Sequence, residues 1–96
     1  MATVMEPNEH QLVLIVWADA HQGEGHWATL DEDDKEEHLV QTVGMLISTD
    51  AGGKPNHATI AQSKSPDEFY DHIIHIPNGM VRSVTFLQKF TPPLDM

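Results

Sequence analysis

The sequence predicts a mainly β protein, a small five-stranded barrel, and three observations lead to this fold class. Five runs of apolar and β-branched residues follow one another along the 96 residues, and loops or turns separate them. Gly44 interrupts the second run, as glycines do where small barrels bend a strand to turn a corner. A Pro-Asn-Gly turn joins the last two runs with almost no intervening chain. Together these features indicate a sheet that curls on itself.

The first strand is predicted over Gln11–Ala18, where a continuous apolar run indicates burial on both faces. The loop that follows contains Gly23 and Gly25, and the chain then becomes apolar again at Trp27. Thr29 is placed to cap a short helix over the acidic residues that follow, because acids in a first turn interact favourably with the helix dipole. We therefore expect one short helix or loop insertion after the first strand.

The second strand is predicted over Leu39–Thr49, and residues 50–55 form a hairpin turn rich in glycine and proline. The third strand follows over Asn56–Ser63 and ends at a second turn, Lys64–Glu68. Both turns contain a proline and small or polar residues, so we expect antiparallel neighbours here.

The fourth strand is predicted over Phe69–Ile76 and the fifth over Met80–Leu87, joined by the turn Pro77–Gly79. Proline presets φ at the first turn position, and Asn-Gly tolerates a tight reversal. Five strands, a bent second strand and a one-turn connection before the last strand are the order found in SH3-like and Sm-like barrels.

A chain of this length makes one domain, so we expect residues 1–96 to form a single barrel with loose arms at 1–10 and 90–96. The absence of cysteine excludes disulfides, thiolate zinc sites and cysteine nucleophiles. The longest apolar run, Leu12–Ala18, is too short to span a bilayer, and the N-terminal residues lack the positive charge of a secretory signal. We expect a cytoplasmic protein.

The charge is strongly negative, with 15 acids, 5 bases and a formal net charge of −10. Such a surface repels phosphate, so direct binding to nucleic acid or to anionic membranes is not expected. Half of this net charge lies in Asp31–Glu37, which has six acids and one lysine. Two interpretations stay open for this segment: a solvated surface that keeps the protein soluble, or an acidic surface that contacts a basic host protein or mimics DNA.

No catalytic constellation is recognisable, so we expect neither an enzyme nor a bound cofactor. Candidate ligand-binding residues are the aromatic, cationic and hydroxyl side chains that could line a small pocket: Trp27, Lys64, Ser65, Tyr70 and Arg82. A structural explanation competes at each position. A tryptophan is more often part of a core, and a lysine at a hairpin end is more often solvated.

Seven histidines are a high number for this length, and His72 and His75 have the spacing of a helical metal pair. In a strand, however, a spacing of three places the two side chains on opposite faces. A second group, His21, His26 and Asp19, lies in and beside the first loop, but zinc needs three or four converging ligands. No metal site is predicted.

Several short motifs distributed over residues 12–87 resemble a group of small bacteriophage and prophage proteins of mostly unassigned function. The motifs are Val16-Trp-Ala-Asp-Ala20, Gly25-His-Trp27, Thr42-Val-Gly-Met-Leu46, Ala61-Gln-Ser63 and Ile76-Pro-Asn-Gly-Met-Val81. The resemblance implies a phage or phage-derived origin. It carries no catalytic residues over to this chain.

The predicted fifth strand has apolar residues at both parities, Val84 and Phe86 at one and Val81 and Leu87 at the other. One small core cannot readily bury both sets, so we expect a homo-oligomer whose strand edges pair as in Sm-like rings. The favoured function is a non-enzymatic oligomeric binding protein, an anti-defence sponge that sequesters a nucleotide-derived immune signal. The alternative is an acidic protein-interaction role, either a DNA-mimic inhibitor of a host protein or a virion accessory protein.

Overall fold

The structure, a computed structural model, describes residues 9–21, 25–32 and 35–88. Five strands account for most of them: β1 (Gln11–Asp19), β2 (His38–Ile47), β3 (His57–Lys64), β4 (Tyr70–Pro77) and β5 (Val81–Leu87). Every strand predicted from the sequence is present, and each boundary agrees within two residues. The arms predicted at 1–10 and 90–96 lie outside the described residues except for Glu9 and His10.

The five strands form one open antiparallel sheet in the order β4-β3-β2-β1-β5. The larger part of the sheet consists of β5, β1 and β2. β1 is its central strand, because it pairs along its length with β2 on one side and β5 on the other. β2 and β3 share only three register pairs, from Met45↔Ala61 to Ile47↔Thr59. The mainly β class is therefore confirmed, and among the described residues helix is limited to two 3₁₀ turns, Thr49–Ala51 and Asn78–Met80. None of the helical segments described has the length or apolarity needed to cross a membrane.

One face of the sheet, the core face, carries the hydrophobic core. Its centre is formed by four fully buried side chains, and the half-buried Trp17, Leu46, Ala58, Ile74 and Val81 pack around them. The four are Val13 and Ile15 of β1, Ile60 of β3 and Ile76 of β4. Cross-strand partners lie on the same face, so the register also assigns Val84 and Phe86 of β5 to the core face, opposite Ile15 and Val13.

A β-bulge changes the faces of β5 from those expected. The register runs from Val16↔Ser83 to Trp17↔Val81 and so passes over Arg82. The extra residue moves Val81 onto the core face, where it packs beside Trp17. The expectation that Val81 shares a face with Leu87 is wrong for this reason.

For the connection between β1 and β2, the sequence predicts either a short helix or a loop insertion. The structure has a turn at this position. The Glu32 amide donates to the Thr29 carbonyl at 3.1 Å, and the Thr29 amide donates to Glu32 Oε2 at 3.3 Å. Of residues 31–37, residues 33–34 lie outside the described part, and the other five form no helix. The loop insertion is the alternative that the described residues support.

Gly44 lies where β2 begins to pair with β3. A Cβ atom at this position would lie 2.6 Å from Ile60 Cγ2 and 2.7 Å from the Ala61 carbonyl oxygen. Ile60 and Ala61 are both fully buried, so neither neighbour can move away easily. Glycine is therefore required by the close approach of β3 to β2.

We expect Gly44→Ala to destabilise the fold by about 1–3 kcal/mol, the usual range for overpacking a tight site. Urea unfolding followed by circular dichroism measures the change. Gly79→Ala is the matched control, because a Cβ at Gly79 has no heavy atom within 4 Å; it should shift stability by less than about 0.5 kcal/mol. Equal effects of the two substitutions would contradict this account of Gly44.

Candidate binding surfaces

Three of the predicted site residues lie together at the turn between β3 and β4. Lys64 and Tyr70 are register partners at the end of the hairpin, and Ser65 follows directly. The turn is closed by two bonds between Ser65 and Phe69: the Ser65 amide donates to the Phe69 carbonyl at 2.8 Å, and the Phe69 amide donates to Ser65 Oγ at 3.1 Å. Three of the five candidate residues from the sequence are therefore neighbours in the structure.

His10 joins this hairpin cluster from the opposite end of the chain. Its Nε2 atom lies 2.6 Å from the Tyr70 hydroxyl, and the two rings meet edge to face at 5.6 Å. Because His10 directly precedes β1, the contact links the beginning of β1 to the beginning of β4. Nothing in the sequence pattern indicated this pairing of residues sixty positions apart.

The lysine of the hairpin cluster has a carboxylate neighbour. Lys64 Nζ lies 3.4 Å from Glu68 Oε1, with 20% and 60% of the two side chains exposed. Glu68 is the exposed partner and Lys64 the mostly buried one, so Lys64 is not the solvated lysine that is usual at a hairpin end.

Arg82 is engaged at several atoms, all at the beginning of β5. Its Nε atom donates to both carboxylate oxygens of Glu37 at 3.0 Å, Nη2 also contacts Glu37 Oε1, and Nη1 donates to the Gly79 carbonyl at 2.9 Å. The hydrogen bonds and charge of Arg82 hold the pKa of the Glu37 carboxyl below its ordinary value, and Glu37 raises the pKa of the Arg82 guanidinium. The pair fastens the β1–β2 connection to β5.

The two tryptophans have different environments. Trp17 is half-buried on the core face, and its Nε1 atom donates to Thr42 Oγ1 at 2.9 Å. Trp27 has a relative exposure of 102%, and Leu30, three residues later, is 79% exposed. The core interpretation of tryptophan therefore holds for Trp17 and fails for Trp27, because the β1–β2 connection leaves the sheet before residue 27.

The five predicted site residues do not converge on one site. The hairpin cluster is joined by His10 to the beginning of β1, whereas Arg82 lies beside the register pair formed by Trp17 near the end of β1. At about 3.3 Å per strand residue, the seven steps from His10 to Trp17 span roughly 23 Å. Trp27 belongs to the connection at the Arg82 end. Glu37 and Leu30 were not among the candidate site residues predicted from the sequence. The position of Leu30 among polar residues is the one sequence signal that could have indicated that its side chain is exposed.

The described histidines also take part in separate contacts. His21 and His38 stack face to face with ring centroids 3.7 Å apart. His72 Nδ1 lies 3.1 Å from Asp71 Oδ2, while His75 Nδ1 bonds to Thr59 Oγ1 at 2.8 Å. Within residues 9–21, 25–32 and 35–88, no three histidine or acidic side chains are arranged to hold a metal ion.

Comparisons with known proteins give no relative: the chain matches no protein-family model, no curated protein and no solved structure.

The Glu37–Arg82 pair predicts a defined pH response. Because the pKa of folded Glu37 is depressed from about 4.5, the pair stabilises the fold above the unfolded pKa, and this contribution is lost as the pH falls through the folded pKa. Carboxyl carbon NMR titration should show Glu37 titrating below the ordinary range. In Arg82→Gln the same signal should return towards 4.5. An unchanged Glu37 pKa in this variant would show that the pair does not form in solution.

Proposed function

We propose that this protein is a non-enzymatic binding protein whose principal contact surface is formed by the described residues of the β1–β2 connection, 25–32 and 35–37. The observation that carries this proposal is the exposure of Trp27 and Leu30, two large apolar side chains three positions apart in the chain and outside the strands. Exposed aromatic side chains of this kind supply much of the binding energy at protein interfaces.

The charge around Trp27 and Leu30 indicates the kind of partner. The described residues of the acidic segment, Asp31, Glu32, Lys35, Glu36 and Glu37, are all exposed. An apolar contact within an acidic surface fits a protein partner that presents a hydrophobic pocket ringed by lysine or arginine. Complementary charge raises the rate of association and selects the partner.

The Arg82–Glu37 pair supports the same surface because it restricts its mobility. It fixes the last residue of the acidic segment to β5, next to the beginning of β2. A connection held at its base loses less conformational entropy when it binds. This role for Arg82 differs from the ligand contact predicted from the sequence.

The phage resemblance gives this proposal a biological setting. A small acidic protein of phage origin that contacts a basic protein would act as an inhibitor of a host factor or as a virion accessory protein. Mimicry of DNA is one form of such inhibition, since clustered carboxylates can occupy a phosphate-binding surface.

The second candidate function is the sequestration of a nucleotide-derived immune signal by an oligomer of this chain. The hairpin cluster favours it, because Lys64, the Ser65 hydroxyl and the Tyr70 hydroxyl are the types of group that hold a phosphate. The Trp27 ring is free to stack on a base, but the sheet separates it from the hairpin cluster. A ligand that needs both would have to bridge two copies of the chain.

We also propose that the fold belongs to the SH3-like or Sm-like class. Three features support this assignment: β5 and β1 are neighbours, β2 pairs with β3 as well as β1 directly after Gly44, and the single 3₁₀ turn Asn78–Met80 joins β4 to β5. Barrels of this class bind ligands through loops at their ends, and the β1–β2 connection would be such a loop.

Trp27→Ala should abolish partner binding and leave stability unchanged, because the side chain packs against nothing. Quantitative mass spectrometry of proteins captured by the wild type and the variants from phage-infected cells measures the loss. Phe69→Ala is the matched control, since Phe69 is 73% exposed but lies in the β3–β4 turn. A partner retained by Trp27→Ala and lost from Phe69→Ala would move the binding surface to the hairpin cluster.

Calorimetry against cyclic dinucleotides, cyclic trinucleotides and ADP-ribose derivatives tests the second candidate. If sequestration is correct, one of these compounds should release heat, and Lys64→Gln should weaken its binding at least tenfold. Replacing Asp31, Glu32, Glu36 and Glu37 by their amides should leave that affinity equal or higher, whereas the same change should weaken a protein contact. No heat from any compound would exclude the panel as ligands.

A further inference from the structure

Among the residues that the structure describes, β5 is an edge strand: it pairs with β1 along one side and is the last strand in the sheet order. The outward-facing amides and carbonyls of an edge strand are a template for another strand. Soluble proteins usually protect such edges with charges, prolines or irregular backbone.

The other edge, β4, has these protections. Asp71 lies near its beginning, His72 has a φ of 52° that breaks the regular strand, and Pro77 ends it. β5 lacks them after its first two residues. The bulge at Arg82 precedes Ser83–Leu87, which pair regularly with β1 and include no charged residue and no proline.

The core face also remains incomplete at β5. Val13 and Ile15 of β1 are fully buried, but their partners on β5 are not: Phe86 is 56% exposed and Val84 is 41% exposed. A further strand beside β5 would cover both side chains and extend the core by one strand. The surface therefore fits a partner that supplies backbone hydrogen bonds and apolar side chains together.

We propose that this partner is the β5 strand of a second copy of the chain, paired antiparallel about a two-fold axis at Thr85. In this register Val84 lies opposite Phe86 of the second copy and Ser83 lies opposite Leu87, so each core face continues into the other. Aromatic and β-branched residues are favourable cross-strand partners. An axis at Val84 would instead place Arg82 opposite Phe86, which matches a charge with an apolar ring.

The composition of β5 favours a second copy of the chain as the partner. Both copies have a large negative charge, and they can meet only where acids are absent. β5 has no acidic residue, and its single cation, Arg82, is bound by Glu37 of its own chain. Isologous pairing uses the unprotected edge twice, whereas the head-to-tail ring expected from the sequence would need the protected edge of β4.

Cysteine substitution tests the axis directly, because the chain contains no cysteine. Facing residues of an antiparallel pair have Cα atoms about 4.5–5.5 Å apart, within disulfide range. Only a residue on the two-fold axis lies opposite the same residue of the second copy. On mild oxidation Thr85→Cys should therefore form a disulfide dimer almost completely, while Ser83→Cys alone should not. A mixture of Ser83→Cys and Leu87→Cys should form the mixed dimer.

Light scattering with gel filtration supplies the solution mass, expected at twice 10.7 kDa. Val84→Lys should give a folded monomer, because a charge facing Phe86 of the second copy opposes pairing. Ile73→Lys is the matched control, since Ile73 is a 49% exposed β-branched residue on the β4 edge; its dimer should persist. Circular dichroism confirms that each variant is folded.

Three outcomes would overturn the inference: a wild type of monomer mass, equal disulfide formation by Ser83→Cys and Thr85→Cys, or dissociation by Ile73→Lys with Val84→Lys still dimeric. The last would assign the contact to β4. The inference is independent of the proposed partner surface, and Trp27→Ala should leave the dimer intact. Loss of the dimer and loss of partner binding are thus separate results.

Discussion

The fold depends on the narrow junction where β3 meets β2. Three register pairs connect the part made of β5, β1 and β2 to the hairpin of β3 and β4. The core lies across this junction, because Val13 and Ile15 belong to one part and Ile60 and Ile76 to the other. Gly44 permits the close approach that brings them together. A side chain at that position would strain the junction, because a Cβ would lie too close to Ile60 and Ala61.

The sequence predicts the strands well, because the signals that define them are local. Apolar runs and turn residues lie next to one another in the chain, so the positions of the turn at Pro77–Gly79 and of the hairpin after β2 could be placed closely. The tight reversal expected at Pro77–Gly79 is wrong in one respect, because β4 and β5 do not pair and lie at opposite edges of the sheet. The bulge at Arg82 could not, since it depends on how β5 aligns with β1. The same limit applies to Thr29, whose capping signal is compatible with a helix or with a single turn.

The candidate surfaces are harder to predict because they depend on long-range contacts. Arg82 was interpreted as a ligand contact, yet it lies against Glu37, a residue 45 positions away that composition marks only as one acid among many. Tyr70 in turn meets His10 across the sheet. Sequence reasoning could select residue types capable of binding. It could not determine which of them already have partners within the fold.

The distribution of charge connects the two surfaces. Four strand residues are charged, Asp19, Lys64, Asp71 and Arg82, and each lies at the first two positions or the last position of its strand. The middle of the sheet is thus free of charge, while the β1–β2 connection carries the largest acidic cluster. Negative charge on every copy opposes association through the connections. It leaves the uncharged middle of an edge strand as the place where two copies can meet, while the acidic connection, held by Glu37 at the beginning of β5, can contact a basic partner.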